Sequence, residues 1–106
     1  MGRLDGKRVL VTQADDYMGP ATVDLFTAEG ADVVADMTDL TVEGACDRVV
    51  ADAGRVDILI ANLASENFSG TAVLDLPDAD WHTTFAMMVH PLHKLTQAVL
   101  PQMIER

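Results

Sequence analysis

Apolar positions along the chain fall into two alternating kinds of run. Short continuous runs, Val9-Leu10-Val11, Val33-Val34-Ala35 and Ile58-Leu59-Ile60, lie inside the segments Arg8 to Thr12, Asp32 to Asp36 and Asp57 to Asn62. An unbroken aliphatic and β-branched run is what a strand covered on both faces requires, so these predict three buried strands. Helical runs separate them. Gly19-Pro20 opens one, with proline in the first turn, Ala21, Leu25 and Ala28 on one face beside Val23 and Phe26, and Gly30 as the stop. In the next, Val42, Ala45, Cys46, Val49, Val50 and Ala53 recur at helical spacing up to Gly54, which puts Cys46 on the buried stripe. A Ser/Asn/Gly-bearing loop from Ser65 to Gly70 follows the third strand. From Pro77 onward a single long helical pattern carries Trp81, Phe85, Met88, Leu92, Leu95, Val99 and Met103, interrupted by Pro91 and Pro101.

Strands alternating with helices imply an α/β fold on a parallel sheet, and right-handed crossovers place the strand from Arg8 between the other two, in the order 2-1-3. Ligands of such sheets bind at the carboxyl ends of the strands. That brings three segments to one crevice: the turn Thr12 to Gly19, the segment Asp36 to Asp39, and the loop that starts at Asn62.

Composition narrows the function classes. The chain has 106 residues, 7 Lys+Arg against 17 Asp+Glu and a formal net charge of −10. That balance argues against nucleic acid, whose phosphates need Lys and Arg, and against anionic membrane surfaces. Cys46, the single cysteine, has no internal disulfide partner, so a reducing, cytoplasmic setting is expected. No apolar run matches a signal peptide or a membrane span. His90 and His93 share a helix face, but no third ligand accompanies them and no metal site is expected. Asn67-Phe68-Ser69 matches a glycosylation sequon, which a cytoplasmic protein would not use.

Specific motifs point further. The stretch Arg3-Leu4-Asp5-Gly6-Lys7-Arg8-Val9-Leu10-Val11-Thr12 resembles the opening of the short-chain dehydrogenase/reductase superfamily. Gly54-Arg55-Val56-Asp57-Ile58-Leu59-Ile60-Ala61-Asn62 is similar to that family's fourth strand, and Leu76 to Arg106 to its long interface helix. The resemblance covers essentially the whole chain. It implies a partial Rossmann-like, doubly wound sheet, with one truncated N-terminal half-domain spanning residues 1–106, the edge strand missing and the C-terminal half absent. It also implies a homo-oligomer through the helix from Trp81 and a small-molecule substrate.

The family fingerprint T-G-x-x-x-G-x-G lets the backbone approach a cofactor pyrophosphate at a helix N-terminus. Here it reads Thr12-Gln13-Ala14-Asp15-Asp16-Tyr17-Met18-Gly19. Only the last glycine remains; Gln13 and Tyr17 put side chains where the pyrophosphate or nicotinamide half would lie. A carboxylate from Asp15 or Asp16 about 6 Å from a phosphate charge would oppose binding by roughly 0.7–3 kcal/mol. No cofactor is therefore expected. If the fingerprint still works, NAD(P) would use Thr12, Gln13, Gly19, Asp36, Asn62 and Ala64. Asp36-Met37-Thr38-Asp39 resembles the D-x-T-D that closes the family's missing edge strand, so Asp36 stands open between three readings: an adenosine-ribose acid, the aspartate near adenine, or a helix first-turn acid.

The order Thr, four residues, aromatic, one residue, Gly, then Pro20, is similar to halohydrin dehalogenases, the branch without a nicotinamide cofactor. That resemblance implies a halide pocket walled by Tyr17 and Leu63. Ala61-Asn62-Leu63-Ala64 stands in place of the dehydrogenase N-N-A-G, Met88 in place of a catalytic Asn, and Pro91 in place of a common Gly. Both branches carry their catalytic Ser, Tyr and Lys or Arg further along than this sequence reaches, so no catalytic residue is expected within it. Three readings follow: a half of a dehalogenase-type enzyme, a half of an NAD(P)-dependent oxidoreductase of alcohols and ketones, or a non-catalytic partner subunit. The isolated chain is expected to be inactive, and oligomeric or marginally stable.

Overall fold

The computed structural model describes residues 2–64 and 72–106; the expected loop from Ser65 to Gly70 and its sequon lie outside these. Strands β1 (Arg8–Val11), β2 (Asp32–Ala35) and β3 (Ile58–Ile60) form a parallel sheet in the order β2-β1-β3, with Val9 opposite both Val33 and Ile58. The parallel sheet in the order 2-1-3 expected from the alternating runs is present, and so is the partial Rossmann-like arrangement that the family resemblance implies. Successive strand residues point to opposite faces. Leu10 joins the cluster of Cys46, Val49, Val50, Leu95 and Val99, while Val9 and Val11 pack with Val23, Phe26 and Ile58 on the other side. A helix layer therefore covers each face.

On one face lies α1 (Gly19–Ala28). Val23 and Phe26 meet the sheet, whereas Ala21, Leu25 and Ala28 are exposed, Leu25 at 59%. The two apolar sets share the helix, and the bulkier, β-branched and aromatic pair takes the sheet side because it buries more area. On the other face α2 (Ala45–Ala53) packs against α4 (His90–Ile104). Its stripe of Ala45, Cys46, Val49, Val50 and Ala53 is buried as the spacing predicts. The helix starts later than Val42, however, because Gly44 takes a left-handed φ of 76° and leaves Val42 half exposed.

No edge strand separates β2 from α2. The connection is instead a repeat, Asp36-Met37-Thr38 then Asp39-Leu40-Thr41, in which each aspartate carboxylate accepts the backbone N–H and hydroxyl of the threonine two residues on. Leu40 drops from it into the core.

The long C-terminal pattern is not one uniform helix. It runs as α3 (Asp78–Thr84), a wider π-helical turn over Phe85–Val89, and α4. Pro91 explains the widening: it has no N–H to return to the Met87 carbonyl and its ring crowds that group, so the His90 N–H bonds back to Phe85 instead. Pro101 does not interrupt α4 as expected. The last turn is held from outside, since the Gln102 side chain accepts the Val56 N–H and donates to the Gly54 carbonyl.

Candidate functional site

At the carboxyl end of β1 the chain turns through Thr12 to Met18 before α1 begins at Gly19. Gln13 and Tyr17 hold φ values of 45° and 52°, the left-handed region that L side chains avoid. These are two of the three fingerprint positions where the family carries glycine. The turn thus keeps a glycine-type path with side chains added to it. Gly19 remains because a Cβ there would sit 2.3 Å from the Ala14 carbonyl oxygen.

Asn62, at the end of β3, holds the turn in this shape. Its amide nitrogen donates to the carbonyls of Gln13 (2.9 Å) and Asp16 (2.8 Å), and the residue is 8% exposed. Its own carbonyl accepts the buried Thr12 hydroxyl at 3.1 Å. The Gln13 side chain then crosses to the other strand end, where its Oε1 accepts the Ala64 N–H at 2.7 Å. On the β2 side, the Asp36 carbonyl accepts the Ala14 N–H at 3.0 Å, and Met37 Sδ accepts the Asp15 N–H. Thr12, Gln13, Gly19, Asp36, Asn62 and Ala64 therefore do converge on one crevice. Among the described residues, no buried side-chain polar atom lacks a partner.

Two residues assigned to a halide pocket sit in different surroundings. Tyr17 is 72% exposed on the turn, while Leu63 packs against the Leu10 cluster. The Asp36 carboxylate closes its turn onto Thr38 at the end of β2, well ahead of α2, which removes the helix-start reading. Asp39 makes the same turn with Thr41, whose hydroxyl and N–H hold its carboxyl below the usual range.

The crevice differs from a glycine-lined dinucleotide site in its side chains. The glycine-type backbone is present, but the Gln13 amide already joins the two strand ends, and Tyr17, Asp15 and Asp16 add bulk and negative charge to the surface a pyrophosphate would meet.

A second concavity, of about 540 Å³, lies elsewhere, between the Leu40 to Gly44 turn and the start of α4. Cys46 and Pro91 line it together with Glu43, Asp47, His90 and Lys94. The Cys46 thiol faces the Pro91 carbonyl, and burial, reinforced by Asp47, pushes it up from its ordinary value. Sequence spacing carries no sign of this cleft, because its charged residues come from two elements that meet only through the α2 and α4 packing. Among the described residues no His/Cys/Asp/Glu cluster is arranged to hold a metal, and no helix is long and apolar enough to cross a membrane.

Residues 6–106 match the family model of short chain dehydrogenases. The chain is 30% identical over 125 residues to a zebrafish (Danio rerio) dehydrogenase/reductase SDR family member 6, covering 100% of this chain and 50% of that protein. It is 33% identical over 104 residues to the (2S)-[(R)-hydroxy(phenyl)methyl]succinyl-CoA dehydrogenase subunit BbsD of Thauera aromatica, covering 94% of this chain and 41% of that one. Among solved structures, a short-chain dehydrogenase/reductase from Burkholderia xenovorans superposes with a TM-score of 0.87 at 28% identity, over 99% of this chain and 54% of its own. The chain thus spans about half the length of the relatives it matches.

Proposed function

The chain belongs to the short-chain dehydrogenase family, and on that premise we propose that its 106 residues form the crevice wall of a dehydrogenase/reductase-type protein acting on alcohols or ketones, without supplying the catalytic groups. One observation carries this reading. The Asn62 clamp holds the turn after β1 in its glycine-type shape, so the architecture of the family crevice is kept even where its residues have changed. The relatives named dehydrogenase or reductase favour redox chemistry over halide displacement. Tyr17 is largely exposed while Leu63 is partly buried against the core cluster, which also speaks against a dehalogenase-type pocket walled by the two.

Family acid–base chemistry by a Tyr-x-x-x-Lys pair has no counterpart in these residues, whose single tyrosine is Tyr17. The reacting groups would come from residues other than these 106, which a second copy would not add. A second copy of the chain is the partner we propose, along the exposed side of α3 and α4, where Trp81, Leu92 and Leu100 are uncovered.

Assay of the 106-residue protein with NAD(H) and NADP(H) against a panel of secondary alcohols and ketones is expected to give no turnover. Turnover above the buffer rate that is lost on heat denaturation would defeat the proposal.

A further inference from the structure

The crevice keeps the family backbone and rejects the family surface, and that disagreement has a specific structural cause. Gln13 stands at a left-handed position, and both its main chain and its side chain bond across the gap from the end of β1 to the segment that follows β3. Its carbonyl accepts from Asn62 and its Oε1 accepts from the Ala64 N–H at 2.7 Å. With the Thr12 hydroxyl bonded to the Asn62 carbonyl, three hydrogen bonds lace the strand ends together across the space that a ligand of such a sheet would enter.

We infer that Gln13 is a built-in latch that closes the strand-end crevice of this chain to nicotinamide dinucleotides. A ligand entering between the ends of β1 and β3 must lift the Gln13 side chain and leave the half-buried Ala64 N–H without its acceptor. Next to the latch, the turn directs Tyr17 outward, and the carboxylates of Asp15 and Asp16 lie exposed on the same turn. A diphosphate approaching the start of α1 therefore meets an aromatic ring and negative charge in place of a glycine-lined approach. Gln13 is thus a specificity-determining residue: it preserves the geometry of the crevice and removes its usual occupant. The inference concerns binding alone. A chain that bound dinucleotide without turnover would overturn it and leave the proposed function standing; turnover with NAD(H) or NADP(H) would overturn both, since every copy carries the same crevice.

The test uses isothermal calorimetry of the 106-residue protein with NADH and with NADPH, beside the Gln13→Gly/Tyr17→Gly variant. Glycine accepts both left-handed positions, so the variant keeps the turn while losing latch and ring. The wild-type chain is expected to show no binding tighter than millimolar, and the variant at least about a tenfold gain in affinity. Micromolar binding by the wild type overturns the inference, as does a folded variant that gains nothing. A second measurement covers the case in which the double variant fails to fold: amide hydrogen exchange in wild type and Gln13→Ala. The Ala64 amide is expected to be protected in the wild type and to lose protection selectively in Gln13→Ala; unchanged protection there shows that no latch exists.

Discussion

Gln13 and Tyr17 hold a conformation that disfavours any L side chain by about 1–2 kcal/mol each, and the two-donor amide of Asn62 is among the bonds that keep them there. The glycine that does remain in this turn answers to a different constraint. Gly19 is not at a positive φ; it opens α1 with its N–H on the Asp16 carbonyl, and its α-carbon lies so near Ala14 that a Cβ would be 2.3 Å from the Ala14 oxygen and 2.6 Å from its carbonyl carbon. Both are backbone atoms, which cannot rotate away. Gly19→Ala is therefore expected to force α1 off the turn and lower unfolding free energy by about 1–3 kcal/mol, the usual range for overpacking. Chemical denaturation of the variant beside the wild type checks it, and an unchanged midpoint would show that the turn shifts freely. The same geometry explains why one glycine of three survives: the other two positions need only a dihedral angle, which a clamp can impose, whereas this one needs an absent atom.

Between elements, Asp57 is the main polar junction. At the start of β3 its carboxylate accepts the Arg8 N–H from β1 at 2.8 Å and pairs with Arg55 and with Arg106 from the end of α4. The Arg8 hydrogen bond, with help from the charges of Arg55, Arg106 and Lys7, outweighs the burial that opposes it and holds this carboxyl below its usual 3.8. A depressed folded value means the junction stabilises the protein fully above 3.8, and that contribution disappears as pH falls through the lower folded value. Asp57→Asn is expected to reduce stability at pH 7 and to flatten the acid limb of the stability profile below 3.8, with Asp39 leaving a residual slope of the same sign. Parallel acid limbs in denaturant titrations of the two proteins would rule the account out. Elements of this kind differ in how far they can be read from sequence. The three strands are legible because an unbroken apolar run has one reading on a covered sheet, and α2 is legible because its stripe is unambiguous. In α1 two apolar sets compete for one sheet face, and spacing alone does not choose between Leu25 and Phe26. Along α4, Pro91 deforms the helix and Pro101 does not, and spacing alone does not tell the two apart.

For the whole molecule, strand order and the convergence of Thr12, Asp36 and Asn62 follow from handedness and alternation, so the site's location is legible before its chemistry is. The Gln13 latch is not, because it depends on the distance between two strand ends that are far apart in the chain. The exposed side of α3 and α4 raises the remaining question at this scale. Leu95 and Val99 face α2 and are buried, while Leu92, Leu100 and Ile104 on the same helix remain uncovered, the last at 74%. From Asp78 to Ile104 the helical segment is about 40 Å long. One helix width of about 10 Å makes this strip smaller than the roughly 800 Å² per partner of a standard stable interface. Copies carrying a net charge of −10 also repel one another. Self-association along this face is therefore expected to be weak, with a dissociation constant of about 10 μM or above, and to tighten as salt screens the repulsion. Leu92→Glu with Leu100→Glu should leave the melting of a dilute sample nearly unchanged, since neither side chain belongs to the buried core, and should abolish the concentration dependence expected in sedimentation. A wild-type chain that sediments as a monomer at several hundred micromolar in high salt would remove the helix face as a contact between copies.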